Sequence, residues 1–187
     1  FIDQCGPLKL KVAGDRDLFN ALSSAIVYQQ LSGKAAATIH GRFTTLFRDE
    51  LPEAGQAAEL SIEELRSVGL SQNKALAVLD LAEKSVDGSL VPIRRMSRLA
   101  DDEVIENLVQ VRGIGPWTAQ MFLIFNLGRP DVMPAADLGV QKGIQAIYSL
   151  DELPQPEEVM QQTAHLAPYR SAATWYFWRA ADTVLMT

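Results

Sequence analysis

The sequence predicts an all-α fold. Apolar residues recur at helical spacing in most of the chain, for example over residues 18–26, and this period is typical of helices that bury one face. Helix-start signals precede several of these segments, and the clearest is the capping-box pattern Ser61-Ile62-Glu63-Glu64. No segment has a convincing strand pattern, and the alternation over residues 8–12 predicts at most a short extended stretch.

Each helix is predicted from its apolar period and its start signal. In the first half of the chain, the predicted helices run from Asp15 to about Tyr28, from Gly33 onward, from Ser61 to Gly69, and from Ser71 onward. Another helix begins at Asp101-Asp102-Glu103, because acids are favoured in a first turn. Neighbouring carboxylates on a helix do not face each other, so this run is a poor acid/base pair. The remaining helices are predicted from Trp117, from Leu138 to Tyr148, from Pro156 to about His165, and from Tyr169 to Met186.

Composition bounds the class of protein. With 187 residues, 48% of them hydrophobic and 21% charged, the chain is predicted to be an ordinary globular protein with one domain over residues 1–187, which can divide into two helical lobes. Its start at Phe1 fits a fragment that lacks its native beginning. No apolar run reaches the roughly 18 residues of a membrane span, and no signal peptide is visible. One cysteine, Cys5, excludes an internal disulfide framework and a four-cysteine iron–sulfur cluster.

The net charge of −6 and the pI near 4.9 argue against a nucleic-acid-binding polycation. An acidic protein can still bind nucleic acid if backbone amides and one local basic patch hold a few of its phosphates. Arg94, Arg95 and Arg98 could form such a patch, and a solvated loop is an equally good interpretation of these three residues.

The central stretch contains a predicted helical hairpin at about residues 108–120. Gly113-Ile114-Gly115-Pro116 interrupts two apolar helices, and Pro116 suits a first helical turn, which needs no amide donor from it. Amides at the start of the second helix favour an anion, such as a nucleic-acid phosphate held without sequence reading. A Gly-x-Gly turn also ends ordinary helices and also occurs in plain DNA-gripping modules, so this motif alone is weak.

A lone carboxylate, Asp137, follows the apolar loop Pro134-Ala135-Ala136. Taken alone, Asp137 is best interpreted as the N-cap of the helix from Leu138 to Tyr148, a role that Asp commonly fills. Together with the preceding hairpin, the same carboxylate indicates a functional site.

These motifs resemble those of the helix-hairpin-helix-GPD (HhH-GPD) superfamily of DNA glycosylases. LVQVRGIGPWTAQ followed by DVMPAADLGVQKG carries the likeness, and the segments at 26–36 and 168–180 extend it over nearly the whole chain. The closer likeness is to the alkylation-repair branch, the 3-methyladenine DNA glycosylase II type. The resemblance implies a two-lobed helical fold with the active site in the cleft between the lobes.

The resemblance also implies the residues that act on the damaged base. Asp137 occupies the position of the essential acid. Trp117 and Trp178 occupy positions that line the base pocket, and Met121 fills a further position that is aromatic in the resembled branch. Members that also nick the strand carry a lysine nucleophile where this chain has Trp117, and an indole cannot form a Schiff base. A monofunctional enzyme that uses water is therefore expected.

Residues that contact DNA follow from the same likeness. Gln30 matches the plug that fills the hole left by an extruded nucleotide, with Leu31 beside it, and a plain polar loop is the alternative. Lys74 resembles a recurrent family lysine, although a single lysine is most often a surface residue. The hairpin residues expected at the DNA are Gly113, Gly115, Trp117 and Thr118. A structural monovalent cation, K⁺ or Na⁺, would be bound by the backbone carbonyls of Val109, Val111 and Ile114.

The implied chemistry explains these residue types. Cutting a purine from deoxyribose develops oxocarbenium-like charge on the sugar, which a fixed carboxylate stabilises while it positions water. The base must first leave the stack, and this requires a pocket and a plug. The predicted function is thus a monofunctional DNA glycosylase that excises alkylated purines of the 3-methyladenine and 7-methylguanine class in base excision repair.

Two other functions fit the sequence. One is a non-catalytic helix-hairpin-helix protein that binds DNA or senses damage, and the other is a glycosylase for another lesion. The expected partner is double-stranded DNA that contains damaged bases, with no membrane contact, no required cofactor and a monomeric protein. The expected location is the cytoplasm (nucleoid) in a bacterium or the nucleus in a eukaryote.

Overall fold

The regular structure of the chain is helical. The computed structural model describes residues 1–13 and 17–184, and no strand occurs among them. This confirms the all-α class. The stretch over residues 8–12 is irregular, and the Ala13 N–H that follows it donates to the Phe125 carbonyl at 2.7 Å. The predicted helix start at Asp15 and the predicted helix end at Met186 lie outside the described residues.

The chain divides into two compact units. We call Asp15–Ala119 the central unit, and we call Phe1–Gly14 with Gln120–Thr187 the terminal unit. In chain order the described helices are α1 (Ile2–Cys5), α2 (Leu18–Tyr28), α3 (Gly33–Thr44), α4 (Ala54–Ala57), α5 (Ile62–Ser67), α6 (Gln72–Val86), α7 (Ile93–Met96), α8 (Asp101–Leu108), α9 (Pro116–Phe125), α10 (Leu138–Tyr148), α11 (Pro156–Thr163) and α12 (Arg170–Val184), with 3-10 turns at Arg48–Glu50 and Ala164–Leu166. None of the described helices is both long enough and apolar enough to cross a membrane.

The predicted helix starts at Ser61 and Ser71 are confirmed by their hydrogen bonds. Ser61 Oγ accepts the Glu64 N–H at 3.2 Å, and the Glu64 carboxylate accepts the Ser61 N–H at 2.8 Å, which completes the capping box of α5. Ser71 Oγ accepts the Lys74 N–H at 3.3 Å and caps α6. The two bonds to serine Oγ satisfy first-turn amides that have no partner inside the helix.

Helix α6 is the centre of the central unit. It contacts α2, α4 and α5, and its buried side chains, among them Ala75, Val78 and Leu81, recur at helical spacing. From α2, Phe19 and Leu22 are almost completely buried. Because three helices pack against its inner face, α6 has a fixed position in the central unit. Loops that form hydrogen bonds to its remaining surface are held in place by it.

The core of the terminal unit lies between α10 and α12. Its buried members come from both helices, from α11 and from the loop before α10: Met133, Val140, Ile144, Val159 and Phe177. The two long helices pack most closely at Gly143 of α10, where an added Cβ would lie 2.0 Å from the Phe177 carbonyl oxygen. A glycine at this position therefore lets the backbones of α10 and α12 touch.

Candidate functional site

Asp137 lies at the N-terminus of α10, where its side chain has two bonded donors. Asp137 Oδ1 accepts the Val140 N–H at 2.8 Å, so the predicted helix cap is confirmed. The same oxygen accepts the indole N–H of Trp178 at 2.9 Å. Two donors on one oxygen fix the orientation of the partly buried carboxylate, and the structure thus brings together two of the residues predicted for the site.

The loop before Asp137 is held in place by the first turns of α12. Ser171 Oγ donates to the Arg129 carbonyl at 2.6 Å and accepts the Val132 N–H at 3.0 Å. Asp131 forms a two-pronged ion pair with Arg170, with N–O distances of 2.7 and 2.8 Å. The hydrogen bonds from Arg170 hold the pKa of the Asp131 carboxyl below its ordinary value. α12 therefore positions both Trp178 and the loop that leads to the carboxylate.

Trp178 is stacked on one side by Phe125. The two ring centroids are 5.9 Å apart and the ring planes differ by 11°. Phe125 therefore covers one indole face, and Trp178 also packs against the buried core of the terminal unit. Of the four consecutive aromatic residues at 175–178, Phe177 is buried and the other three are partly exposed.

Trp117, Met121 and Phe125 lie along one side of α9. Residues four apart on a helix are neighbours, so this spacing aligns the two predicted pocket residues on α9 with Phe125. Trp117 is 46% exposed, which leaves much of its indole accessible. The i, i+4, i+8 pattern was present in the sequence and could have identified Phe125, which sequence reasoning missed.

Gly139 gives Trp178 the space that it needs to reach Asp137. A Cβ at this position would lie 2.9 Å from Trp178 Cδ1 and 3.1 Å from Asp137 Oδ1. Contacts this short force the indole to shift, so a side chain here would disturb the bond between the two residues.

The two glycines of the hairpin have different roles. Gly113 adopts φ +77°, a conformation that favours glycine, and its missing Cβ would lie 3.4 Å from Ala77 of α6. Gly115 does not have a positive φ, and a Cβ there would meet no atom within 4 Å. Gly113 therefore shapes the turn, whereas Gly115 keeps open the space directly before the N-terminus of α9.

Asp80 of α6 ties the hairpin to the core of the central unit. Its Oδ2 accepts the Arg112 N–H at 2.7 Å, and its Oδ1 pairs with Lys84 one turn along α6. Partial burial alone would raise the pKa of the Asp80 carboxyl, but the bonds from Lys84 and the Arg112 amide outweigh it and hold the pKa below its ordinary value. The start of the hairpin is thus anchored by a charged group.

We expect substitutions at the two glycines to have different effects. Gly115→Ala should leave the midpoint of urea unfolding unchanged. It should weaken binding to plain and damaged duplex alike, by about tenfold, because the added methyl group obstructs the approach of a phosphate and one charged hydrogen bond is lost. Gly113→Ala should also lower the free energy of unfolding by about 1–2 kcal/mol, because alanine is strained at positive φ. Unchanged affinity of Gly115→Ala for plain duplex would show that the hairpin does not contact phosphate.

The turn between α2 and α3 contains the predicted plug. Gln30 has φ +55° and is exposed, and Leu31 is 39% exposed. Gln29, which sequence reasoning did not single out, donates through Nε2 to the Gly113 carbonyl at 3.0 Å and to Thr118 Oγ1 at 3.4 Å. Partners 84 and 89 residues away leave no local signal in the sequence.

Lys74 is not the surface residue that the sequence favoured. Its ammonium donates to the carbonyls of Val27 and Gln29, both at 2.7 Å. Partial burial lowers the pKa of this ammonium below its ordinary value. The lysine therefore binds the C-terminal end of α2 instead of extending into water.

The predicted basic patch lies on a short helix and just after it. Arg94 and Arg95 belong to the short helix α7, and Arg98 follows it; all three side chains are exposed, whereas Met96 between them is buried. This corrects the loop interpretation in part, because the first two arginines are helical. Among the described residues, no three His, Cys, Asp or Glu side chains cluster as metal ligands.

Comparison with known proteins identifies the family. Residues 23–168 match the family described as HhH-GPD superfamily base excision DNA repair protein. The chain is 34% identical over 167 residues to DNA-3-methyladenine glycosylase 1 of Schizosaccharomyces pombe, a match that covers 89% of this chain and 73% of that protein.

Two solved structures have similar folds. The 3-methyladenine DNA glycosylase of S. pombe in complex with abasic DNA has a TM-score of 0.87 at 32% identity, covering 96% of this chain and 88% of that one. A DNA-3-methyladenine glycosidase from Bacillus halodurans has a TM-score of 0.87 at 34% identity, covering 99% and 84%. With the family match over most of its length, the chain belongs to the HhH-GPD superfamily of base excision DNA repair proteins.

Proposed function

We propose that this chain is a monofunctional DNA glycosylase that removes alkylated purines from double-stranded DNA. The observation that carries the proposal is the Asp137 carboxylate, whose Oδ1 is held by Trp178 and Val140. The resemblance assigns the family's essential acid to this residue. The relatives are named for action on 3-methyladenine, which supports the substrate class. A pure DNA-binding module has no need for a carboxylate fixed beside an indole.

The carboxylate acts on charge that develops in the transition state. As the bond from the sugar to the purine lengthens, the deoxyribose gains oxocarbenium-like charge, and a fixed negative group beside it lowers the barrier. Because Asp137 is already oriented by two donors, little reorganisation is needed when the charge appears. The same carboxylate orients the water that completes the hydrolysis.

The base reaches this carboxylate only after it leaves the duplex. Gln30, exposed in the turn after α2, fills the vacated space, and the hairpin holds the backbone near Gly115 through amides at the N-terminus of α9. By the family resemblance, Trp117, Met121 and Trp178 are the residues that receive the extruded base.

The reaction products distinguish a monofunctional glycosylase from one that also cuts the DNA strand. A duplex with one 7-methylguanine should yield free base and an unbroken strand that carries an abasic site, and borohydride should trap no protein–DNA adduct. The reason is that Trp117, at the place of the lyase lysine, cannot form a Schiff base. Recovery of a reduced adduct would contradict the monofunctional assignment and would direct the search to Lys74 or Lys142.

Lesion charge should determine the rate. Methylated purines such as 3-methyladenine carry positive charge, and attraction of a cation to an indole face is worth roughly 0.5–2 kcal/mol, or about 2- to 30-fold. We expect charged methylpurines to be released faster than neutral hypoxanthine, and Trp178→Ala to slow the charged lesions more. Trp178→Phe keeps an aromatic face but removes the bond to Asp137, so it separates the two roles of the indole. Faster release of hypoxanthine by the wild-type protein would show that the pocket selects by shape.

A structural monovalent cation in the hairpin is part of the proposal. Val109, Val111 and Ile114 would hold K⁺ or Na⁺ through backbone carbonyls. The Val111 carbonyl accepts the Ile114 N–H at 3.0 Å, and the second lone pair of this carbonyl oxygen leaves it able to bind a cation as well. Such an ion, when bound, adds positive charge near the DNA backbone.

A further inference from the structure

The exposed plug turn has an unusual backbone conformation. Gln30 has φ +55°, in the left-handed region that a non-glycine side chain disfavours. Beneath the turn lies an open groove of about 230 Å³, lined by Gln30, Leu31, Ile39 and Lys74 among others. Because the turn is not packed into a core on this side, hydrogen bonds must hold its conformation.

Lys74 supplies two of these bonds. Its ammonium donates to the carbonyls of Val27 and Gln29, both at 2.7 Å, and the last carbonyls of a helix have no partner inside the helix. A cation is also favoured at a helix C-terminus. The bond to the Gln29 carbonyl fixes the peptide group that joins Gln29 to Gln30, and this fixes the direction in which the plug leaves α2.

Gln29 joins the same turn to the hairpin. Its side-chain amide donates to the Gly113 carbonyl at 3.0 Å and to the buried Thr118 Oγ1 at 3.4 Å. The residue that precedes the plug is thus bonded to the turn that precedes α9. Both bonds lie within the central unit, as do those of Lys74.

We propose that Lys74 and Gln29 are positioning residues that hold the plug turn and the hairpin in one fixed arrangement. This inference rests on the proposed function, because it assigns the two residues to base extrusion from a duplex. Lys74 is poorly placed as a nucleophile or as a phosphate ligand, since two of its three N–H groups are directed at α2 carbonyls. The carbonyl bonds require a donor at position 74, which arginine also provides and methionine does not.

The experiment compares duplex with single-stranded DNA. Single-turnover base release at saturating protein is measured for Lys74→Met, Gln29→Ala and Lys74→Arg, on both forms of one lesion-containing oligonucleotide. We expect Lys74→Met and Gln29→Ala to slow release from duplex by about tenfold and from single strands by less than about twofold, within the range for coupled residues. Lys74→Arg keeps a donor at this position and should retain most of the wild-type rate of base release from duplex. In a Gln30→Ala background, Lys74→Met should cause little additional loss.

A second readout does not depend on catalysis. 2-Aminopurine placed beside the lesion brightens when its neighbour leaves the stack, and Lys74→Met and Gln29→Ala should reduce this increase at saturating protein. Ser61→Ala, which removes the cap of α5 in the same unit, is the matched control for lost stability. It should leave both readouts near wild type.

Several outcomes would overturn the inference. If Lys74→Met slows base release from duplex and from single strands equally, Lys74 acts at the chemical step. If Lys74→Met slows release as much in the Gln30→Ala background as in the wild type, Lys74 acts independently of the plug. If Lys74→Met does not fold, Gln29→Ala alone decides. If the wild-type protein brightens 2-aminopurine but releases no base, the proposed function fails; the inference then stands or falls on whether the variants lose that brightening.

Discussion

Asp137→Asn is expected to keep its fold while base release falls by about 100- to 1000-fold, the loss typical for one preorganised electrostatic group. Asparagine retains a side-chain oxygen that can accept both the Val140 N–H and the Trp178 indole N–H, and it caps helices as well as aspartate does. The substitution therefore removes the negative charge and leaves the cap. Single-turnover release from a methylated duplex and urea unfolding measure the two effects separately.

The chain provides a matched control for this variant. Asp17 caps α2 by accepting the Asn20 N–H at 3.2 Å, so Asp17→Asn makes the same chemical change at another helix start. It should leave both stability and release unchanged. Asp137→Ala should in addition lower the free energy of unfolding by about 1 kcal/mol, because it removes the cap. Release by Asp137→Asn close to the wild-type rate would leave Asp137 as a helix cap only.

Gly143→Ala should have the largest effect on stability. The new methyl group would lie 2.0 Å from the Phe177 carbonyl oxygen, and a backbone atom cannot rotate away as a side chain can. We expect a loss of about 3 kcal/mol or more in the free energy of unfolding, or failure to fold, because α10 and α12 must separate. Activity should also fall, since α12 carries Trp178 and Asp137 caps α10.

Gly41→Ala is the control for Gly143→Ala. Gly41 lies in the exposed interior of α3, and a Cβ there would meet no atom within 4 Å. Alanine should therefore be neutral or stabilising by up to about 1 kcal/mol, from its higher helix propensity. Equal urea midpoints for the two variants would mean that α10 and α12 do not approach as closely as the structure indicates.

Local signals predicted much of the fold. The capping box at Ser61, the cap at Ser71 and the cap at Asp137 are each made by residues three positions apart, so sequence alone contains both partners. Helical spacing of apolar residues likewise predicted the long helices. The starts predicted at Trp117 and Tyr169 each differ by one residue from the observed starts at Pro116 and Arg170.

Contacts between distant residues could not be predicted from the sequence. The bonds of Lys74 span 45 and 47 residues and those of Gln29 span 84 and 89, so neither residue differs from a surface side chain until the chain is folded. The two hairpin glycines also look equivalent in Gly113-Ile114-Gly115, yet only Gly113 has a positive φ. Only Gly113 lies close to Ala77 of α6, a contact that the sequence does not indicate.

The site was predicted mainly through the family resemblance. Asp137 by itself indicated only a cap, and the structure shows that cap together with a bond from Trp178 that spans 41 residues. Phe125, which covers one face of that indole, could have been identified from its spacing on α9. The catalytic and DNA-contacting roles of these residues stay predictions.

Release of free base is the most direct test of the central claim. Purified protein in excess is mixed with a duplex that contains a single 7-methylguanine, and both bound DNA and liberated base are followed over time. If the central claim is right, the wild-type protein liberates one base per duplex in a single exponential, whereas Asp137→Asn binds equally well and liberates almost none. Tight binding by the wild-type protein without liberation of 7-methylguanine or 3-methyladenine would contradict it.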